Sequence, residues 1–267
     1  TLEILTAHRS IRKFTDEPLP DGLLETLCTA AQAAATSSFL QGATLIRVTN
    51  PESRSTLARC AGGQGYVETA AEFLVLCADL KRAGNYCHKY GKEFEGDFTE
   101  QFIIATVDVA LMAQNLVIAA ESVGLGICYI GGLRNNPQEV SDLLELPRGV
   151  YPVFGLCLGY PDQDPEVKPR LPLPVILKQE RYNEEGDEEA ITGYDENAPR
   201  GNETKSEDKM LISNEAELRK VLCSLDTKGP DCNTGEAAIS SQRKHYGDGE
   251  SDDSEIDIDE DSDASSI

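Results

Sequence analysis

The sequence lacks the patterns that mark several common kinds of functional site. None of its eight cysteines belongs to a Cys-x-x-Cys pair, so we predict no metal site and no disulfide framework. The glycine-rich segment at 62–66 has neither the Lys-Ser/Thr ending of a P-loop nor the spaced glycines of a dinucleotide fingerprint. Free thiols indicate a reducing compartment, and we expect the cytoplasm. The chain begins at Thr1 rather than Met, which leaves a preceding targeting segment open.

Basic residues are scarce, with 24 Lys and Arg against 47 Asp and Glu and a formal net charge of -23. So acidic a chain is not expected to bind nucleic acid or an anionic membrane, because both need cations on a common face. The imbalance is uneven: residues 1–183 hold 22 acidic and 16 basic side chains, and residues 184–267 hold 25 and 8. We therefore predict a globular domain followed by an acidic, largely disordered tail with a short helix over 214–225.

No apolar run is free of polar residues over the length of a membrane span. The most apolar segment, 98–123, is interrupted by Glu100, Asp108 and Glu121, so we predict a long helix buried in the core or against a partner subunit. It should end at Gly124. Residues 81–97 are polar and are predicted as a mobile excursion or lid.

Other elements follow from apolar periodicity and from Gly and Pro breaks. Continuous or alternating apolar runs predict strands over 44–49, 72–78, 127–130 and 151–160. Helical spacing predicts helices over 2–8, 22–35, 52–60, 67–71 and 137–146.

Two basic clusters stand out in this acidic chain. The first, His8-Arg9-Ser10-Ile11-Arg12, places guanidinium, imidazole and hydroxyl donors within five residues. The second, Lys168-Pro169-Arg170, lies in a Pro-rich loop whose rigid backbone can direct side chains at a ligand. Together they indicate one phosphate-bearing ligand held from two sides. An exposed basic turn at the head of a helix is the alternative for the first cluster.

Two further segments suit contact with a polar, planar ligand. Residues 36–41 form a hydroxyl-rich loop with one aromatic side chain, although an ordinary turn after a helix explains it equally well. Gly131 and Gly132 follow a predicted strand, where the absence of a Cβ lets a ligand approach backbone N–H groups. A tight turn is the alternative for this pair.

A family resemblance rests on these motifs taken in order. They are His8-Arg9-Ser10-Ile11-Arg12, Ser37-Ser38-Phe39-Leu40-Gln41, Gly62-Gly63-Gln64, Met112-Ala113-Gln114-Asn115, Tyr129-Ile130-Gly131-Gly132-Leu133-Arg134-Asn135-Asn136, Phe154-Gly155-Leu156-Cys157-Leu158-Gly159 and Lys168-Pro169-Arg170-Leu171-Pro172. The set resembles the FMN-dependent nitroreductase superfamily, in particular the oxygen-insensitive NADPH nitroreductases and the related flavin reductase P. The likeness runs from about residue 2 to residue 196, which places the domain at 1–196 and the acidic tail at 197–267.

The resemblance implies an α+β nitroreductase fold, with a mostly antiparallel central sheet flanked by helices, in a domain-swapped type of homodimer. It implies one FMN in each of two interface sites. NADPH or NADH would deliver hydride to the flavin, and a nitroaromatic, a quinone or a free flavin would then be reduced in a ping-pong cycle. The chemistry lies on the flavin, so no side chain is predicted to be catalytic.

The resemblance also implies a set of ligand-binding residues. The first basic cluster, with Lys168 and Arg170, would bind the phosphate and ribityl end of FMN. Gln64 and the 129–132 segment would line the ring. The hydroxyls of Thr36 and Ser38 would come from the partner subunit. The substrate pocket falls to Ser38 and Phe39. The complete implied FMN set is His8, Arg9, Ser10, Ile11, Arg12, Thr36, Ser38, Gln64, Tyr129, Ile130, Gly131, Gly132, Lys168 and Arg170.

The acidic tail departs from the family pattern, in which a basic arm contacts NADPH. Residues 197–267 are expected not to resemble that arm, because their basic candidates Arg200, Lys205 and Lys209 stand among acids. This predicts a weakened or lost preference for NADPH, since 2′-phosphate selectivity needs a cation. The alternative to an enzyme is an FMN-binding protein with low turnover, whose acidic tail recruits a basic partner.

Overall fold

Four antiparallel strands form the centre of the fold in the computed structural model, which describes residues 1–96 and 98–197. They are β1 (Ala43–Arg47), β2 (Glu72–Asp79), β3 (Gly126–Ile130) and β4 (Val150–Gly159), in the order β1-β2-β4-β3. Each lies within two residues of a strand predicted from the sequence. The four predicted strands are therefore confirmed, as is the α+β class.

The strand β2 is buried along its whole length and pairs with β1 on one side and β4 on the other. Successive side chains of a strand point to opposite faces, so Leu74 and Leu76 contribute to one core cluster and Phe73 and Val75 to another. Phe73 occupies space that Gly155 of β4 leaves free. A Cβ at Gly155 would lie 2.6 Å from the Phe73 ring, so this position requires glycine.

Helices precede and follow these strands along the described chain. Their bounds are α1 (Leu2–Thr6), α2 (Leu23–Gln32), α3 (Pro51–Cys60), α4 (Tyr66–Thr69), α5 (Lys81–Lys89), α6 (Thr99–Ser122), α7 (Pro137–Leu143), α8 (Leu173–Ile176) and α9 (Asp187–Asn197), with short 3-10 turns at Ser37–Phe39 and Gly131–Asn135. The helices predicted over 2–8, 22–35, 52–60, 67–71, 98–123 and 137–146 are confirmed, with ends that differ by a few residues.

The sheet separates two apolar clusters. The first core cluster lies against α2 and α6, which contribute Leu27 and Leu116. The second core cluster lies against α3, α7 and the segment after α1, which contribute Leu57, Val140 and Ile11. Burial of these side chains on both faces of the sheet provides the main stabilisation of the fold.

Residues 81–97, predicted as a mobile excursion, begin instead with the helix α5. The sequence analysis did not predict this helix, because α5 buries no residue and is held by polar contacts at its first turn; the mobile excursion or lid stays a prediction. The Arg82 N–H donates to Asp79 Oδ1 at 3.0 Å, and the Arg82 guanidinium donates to the carbonyl oxygens of Gln41 and Ala43, each at 3.2 Å. A carboxylate that accepts from a first-turn amide stabilises a helix start without any apolar stripe.

By length and composition alone, α6 could cross a membrane. In the fold, one face of α6 lies in the first core cluster through residues such as Val109 and Leu116. A different set of its apolar residues, Ile103, Val107 and Leu111, stays 45–49% exposed. The composition is therefore that of a core helix, and the predicted burial is confirmed for one face only.

The end of α6 is the one predicted. Gly124 adopts a φ of +84°, its N–H donates to the Glu121 carbonyl at 3.1 Å, and the Leu125 N–H donates to the Ala120 carbonyl at 3.0 Å. This is the Schellman arrangement, in which a left-handed glycine lets the last carbonyl groups find donors. It directs the chain into β3.

After β4 the chain continues through a Pro-rich loop to α8 and α9. Three acidic residues, Asp187 to Glu189, lie in the first turn of α9, where the helix dipole favours negative charge. Asp187 also pairs with Lys178 at 2.5 Å, and the Tyr194 hydroxyl donates to the Pro169 carbonyl at 3.3 Å. The predicted tail and its helix over 214–225 lie outside the described residues.

Candidate functional site

The first basic cluster lies alongside β3. Ser10 forms a parallel bridge with Ile127, and the Ile11 N–H donates to the Ile127 carbonyl at 2.8 Å. Ile11 is buried against Gly126, where a Cβ would lie 2.6 Å from Ile11 Cγ1. This single bridge holds the segment, which follows α1 and begins no helix, beside β3. The predicted basic turn at a helix head is therefore wrong for these residues.

The Arg12 side chain lies near Tyr66 and the strand β3. The Arg12 guanidinium lies beside the phenol of Tyr66 and near the Cys128 thiol. Burial raises the pKa of Tyr66, and the Arg12 cation acts in the opposite direction. The Tyr66 hydroxyl donates to Gln64 Oε1 at 2.8 Å. The structure thus joins two sequence-predicted residues, Arg12 and Gln64, through a tyrosine that sequence reasoning missed.

Arg9 contacts the Pro-rich loop that follows β4. Its Nη2 donates to Asp164 Oδ1 at 2.5 Å, and its Nη1 donates to the Ala7 carbonyl at 3.2 Å. Its Nε is buried and has no hydrogen-bond partner among the described residues. Arg9 and Ile11 line a cleft of about 370 Å³ that also meets Pro161.

His8 and the loop of the second basic cluster are each held by specific contacts. His8 Nδ1 is 2.6 Å from Glu121 Oε1 on α6. Lys168 and Arg170 are exposed on the loop that also carries Asp164, the partner of Arg9. The loop is held beside the first cluster, because the Asp162 N–H donates to the Lys13 carbonyl at 2.9 Å. The start of the loop that carries the second basic cluster therefore contacts the segment that carries the first.

The glycine pair has a structural explanation at one of its two positions. A Cβ on Gly132 would lie 2.7 Å from the Ala61 carbonyl oxygen, so Gly132 is needed for packing against the end of α3. A Cβ on Gly131 would meet only the Arg134 side chain, at 3.1 Å. Ile130 is fully buried and Ile11 is almost fully buried. These two residues can therefore reach a ligand only through their backbone atoms.

The hydroxyl-rich loop is anchored elsewhere. The Ser37 N–H donates at 2.9 Å to Asp108 Oδ1 on α6, which faces the first core cluster, whereas Gln64 lies beside the second. Ser38 and Phe39 adopt left-handed φ values of 50° and 54°. Asp108 is 2% exposed, and its Oδ2 and the Thr36 Oγ1 are buried without a hydrogen-bond partner in the described part of the chain.

For Tyr66 and Asp108, the sequence contains a local pattern that indicates the contact seen in the structure. Tyr66 follows Gln64 by two positions across a turn, a spacing that brings side chains together. Asp108 is a lone carboxylate in an apolar helix, which indicates burial with a specific hydrogen-bond donor.

In the described part of the chain, the thiols and carboxylates show no arrangement that would suit a metal. Over residues 1–96 and 98–197, no group of three or more His, Cys, Asp or Glu side chains could hold an ion. The six cysteines in this part of the chain are free. Burial raises the pKa of Cys77 to about 12, which makes its thiol unreactive at neutral pH.

Comparison with known proteins identifies the family. Residues 5–160 match the Nitroreductase family, and residues 168–210 match the C-terminal domain of the same family. The chain belongs to the nitroreductase family. This confirms the resemblance drawn from the ordered motifs and the nitroreductase fold.

Individual nitroreductases agree with that assignment. The chain is 50% identical over 184 residues to the NADPH-flavin oxidoreductase of Vibrio harveyi, covering 69% of this chain and 75% of the relative. It is 45% identical over 196 residues to the oxygen-insensitive NADPH nitroreductase of Salmonella typhimurium, covering 73% and 80%. The solved structure of the Vibrio harveyi NADPH:FMN oxidoreductase complexed with NAD+ superposes with a TM-score of 0.70 at 48% identity, covering 73% of this chain and 83% of that one.

The match to the nitroreductase C-terminal domain extends past the limit expected from the motifs. The likeness was expected to stop at residue 196, but the match continues to residue 210. It therefore includes Arg200, Lys205 and Lys209, the three basic residues singled out in the tail. The expectation that the family arm is missing stays a prediction, and residues 197–210 are the part of the tail that the family match includes.

Proposed function

We propose that this nitroreductase is an FMN-dependent NAD(P)H oxidoreductase that reduces nitroaromatics, quinones or free flavin. The observation that supports the proposal is the first basic cluster, which lies alongside β3 and pairs through Arg9 with Asp164 of the loop that also carries Lys168 and Arg170, in a chain of this family. Relatives at 50% and 45% identity are named an NADPH-flavin oxidoreductase and an oxygen-insensitive NADPH nitroreductase.

The residues present fit FMN. A phosphate needs cationic donors, and Arg9, Arg12, Lys168 and Arg170 supply them in a domain that is otherwise net acidic. Arg9 Nε is a buried donor that still lacks a partner among the described residues. A flavin ring presents carbonyl oxygens and ring nitrogens in one plane, which suits a side-chain amide such as Gln64 and the backbone amides near Gly131.

Each residue has a proposed task. His8, Ser10 and Arg12, with the loop cations, would hold the phosphate and ribityl end, and Gln64 with the 129–132 segment would line the ring. FMN, when bound, supplies the redox chemistry by accepting hydride from a nicotinamide and passing electrons to a second substrate. No described side chain is required as a nucleophile, acid or base. The protein contributes binding, orientation and positive charge.

A homodimer forms part of the proposal. The Thr36–Phe39 loop and Gln64 lie on opposite faces of the sheet, so a loop that serves a flavin would reach the site of a second subunit. Exposed apolar residues on α6 and α8, such as Val107, Leu111 and Leu173, offer a surface for that subunit. In this arrangement Thr36 and Ser38 would donate across the interface, and Ser38 with Phe39 would border the substrate.

The preference for NADPH or NADH is a separate prediction. The predicted weakening of NADPH selectivity assumes that the tail lacks the cations of the family arm. The family match includes three basic residues of the tail, Arg200, Lys205 and Lys209, which counts against that assumption. The ratio of the kcat/KM values for NADPH and NADH measures it. A strong preference for NADPH would contradict the weakened selectivity.

The proposed function is tested by an anaerobic titration of the purified full-length protein with NADPH, followed by visible absorbance. We expect a yellow protein that NADPH bleaches and that an added nitroaromatic or quinone restores. A colourless protein that does not take up added FMN would overturn the proposal. A yellow protein that neither NADPH nor NADH bleaches would leave the low-turnover FMN-binding alternative.

A further inference from the structure

The loop at residues 37–41 contains a run of left-handed backbone. Ser38, Phe39 and Gln41 have φ values of 50°, 54° and 53°, although none of them is glycine. Such conformations cost free energy in residues with a side chain, and they persist only where surrounding contacts hold them in place. The contacts at the end of this loop therefore matter for its shape.

One residue of α5, Arg82, binds the backbone where the loop ends. Arg82 Nη1 donates to the carbonyl oxygens of Gln41 and Ala43, each at 3.2 Å. The Gly42 carbonyl, which lies between them in the chain, accepts from the Asp79 N–H at 2.9 Å. The three carbonyl groups that join the loop to β1 are therefore all paired, two of them with a single guanidinium.

A buried carboxylate holds the Arg82 side chain in position. Asp79, the last residue of β2, is 8% exposed, and its Oδ2 accepts from Arg82 Nη2 at 3.0 Å. Its Oδ1 accepts from the Arg82 N–H at 3.0 Å, which also fixes the start of α5. Arg82 Nη2 donates to Thr44 Oγ1 as well. Arginine suits this position because its planar group contacts a carboxylate, a hydroxyl and two carbonyl groups at once.

We propose that Arg82 is a positioning residue that fixes the loop carrying Ser38 and Phe39. Its consequence for catalysis rests on the proposed function, in which these two residues border the substrate. Phe39 is 80% exposed, so its side chain gains little from packing within one subunit, and its position depends on the backbone contacts of the loop. Arg82 would therefore keep the loop in the arrangement that receives the substrate.

The test compares Arg82→Gln with the wild type in the full-length protein, as purified and after addition of FMN. Glutamine is too short to bind the carboxylate and the loop carbonyls together, while Asp79 retains the Thr44 hydroxyl and the backbone N–H of residue 82. We expect amide hydrogen exchange at residues 37–41, measured by mass spectrometry, to become about fivefold faster. The KM for a quinone should rise about threefold with kcat nearly unchanged, since substrate binds only molecules whose loop is in place.

Arg47→Gln is the matched control. Arg47 pairs with Glu72 at the other end of β2, with side-chain exposures of 49% and 8%, against 47% and 11% for Arg82 and Asp79. Among the described residues, the Arg47 side chain hydrogen-bonds to Glu72 alone and contacts no loop carbonyl. The control should leave exchange at residues 37–41 and the KM unchanged, even where its melting temperature falls.

Three results would contradict the inference. Unchanged exchange at residues 37–41 in Arg82→Gln would overturn it, as would an equal increase in Arg47→Gln, which would indicate a general loss of stability. Faster exchange with an unchanged KM would overturn the role in substrate binding. A wild-type protein that binds no FMN would instead overturn the proposed function, and the exchange rates would still decide whether Arg82 holds the loop.

Discussion

Two parts of the site differ in how many of their polar groups have a hydrogen-bond partner within one subunit. They are the Arg12–Tyr66–Gln64 group and the Thr36–Phe39 loop. In the first, the Tyr66 hydroxyl and Gln64 Oε1 are paired, and the segment around them is held by backbone contacts. In the second, Thr36 Oγ1 and Asp108 Oδ2 are buried without partners in the described part of the chain. Phe39 there is 80% exposed.

This difference indicates which part of the site a single chain can build. A buried polar atom without a partner costs roughly 1–3 kcal/mol, and a left-handed backbone at a non-glycine residue costs a similar amount. The loop carries both kinds of cost, whereas the group around Tyr66 is satisfied internally. A second subunit or ligand that supplies the missing contacts would explain why the loop keeps this geometry.

The largest effect is expected from breaking the surface that would complete the loop. Val107→Asp on the exposed side of α6 would place a carboxylate of each subunit in an apolar interface. We expect the dimer dissociation constant to rise by about 100-fold or more, with loss of bound FMN. Light scattering after size exclusion and the flavin absorbance measure the two effects.

Leu2→Asp provides the control for that experiment. Leu2 is an exposed apolar residue on α1, outside the proposed interface. It should remain a yellow dimer. A Val107→Asp protein that stays dimeric and yellow would show that the exposed side of α6 does not complete the loop.

A smaller effect is expected from the anchor of the loop. Asp108→Leu removes the acceptor of the Ser37 N–H and should lower the free energy of unfolding by about 2 kcal/mol. Asp108→Asn keeps a carbonyl oxygen for the same N–H and should lose less than half as much. Urea unfolding at one protein concentration compares the two, and equal losses would mean that the hydrogen bond contributes little.

The smallest effect concerns backbone strain within the loop. Ser38→Gly should raise the free energy of unfolding by about 0.5 kcal/mol, because glycine adopts a φ of 50° without steric cost. Ala33→Gly, just before the loop, should lower it by about 1 kcal/mol, because Ala33 has an ordinary φ of -74° and glycine only loosens the unfolded chain. Thermal unfolding would show opposite shifts, and shifts of the same sign would mean that Ser38 is not strained.

Much of the fold could be predicted from the sequence. The apolar run of β2, the length of α6 and its end at Gly124 all follow from local patterns, and the structure has them within a few residues. The helix α5 could not be found this way, since its stability comes from Asp79 and Arg82 rather than from burial. Local pattern predicts elements that bury an apolar face, and it misses those held by side-chain caps.

The site was only partly predictable for a related reason. Both basic clusters were visible in the sequence because Arg and Lys are rare in this chain. The pairing of Arg9 with Asp164, which attaches the loop of the second cluster to the first, was not visible, because it joins residues far apart in the chain. The interpretation of Gly132 as an approach for a ligand competes with its contact to Ala61, which no local pattern shows.

The sequence by itself determined the strands, the main helices, the two basic clusters and the family, because these depend on residue type and spacing along the chain. Only the tertiary structure decided which side chains meet. It paired Arg9 with Asp164 of a distant loop, placed the Tyr66 hydroxyl against Gln64, and left Thr36 Oγ1 and Asp108 Oδ2 buried without partners among the described residues. Such contacts join residues far apart in the chain, and their geometry is set by packing around the sheet rather than by any local pattern.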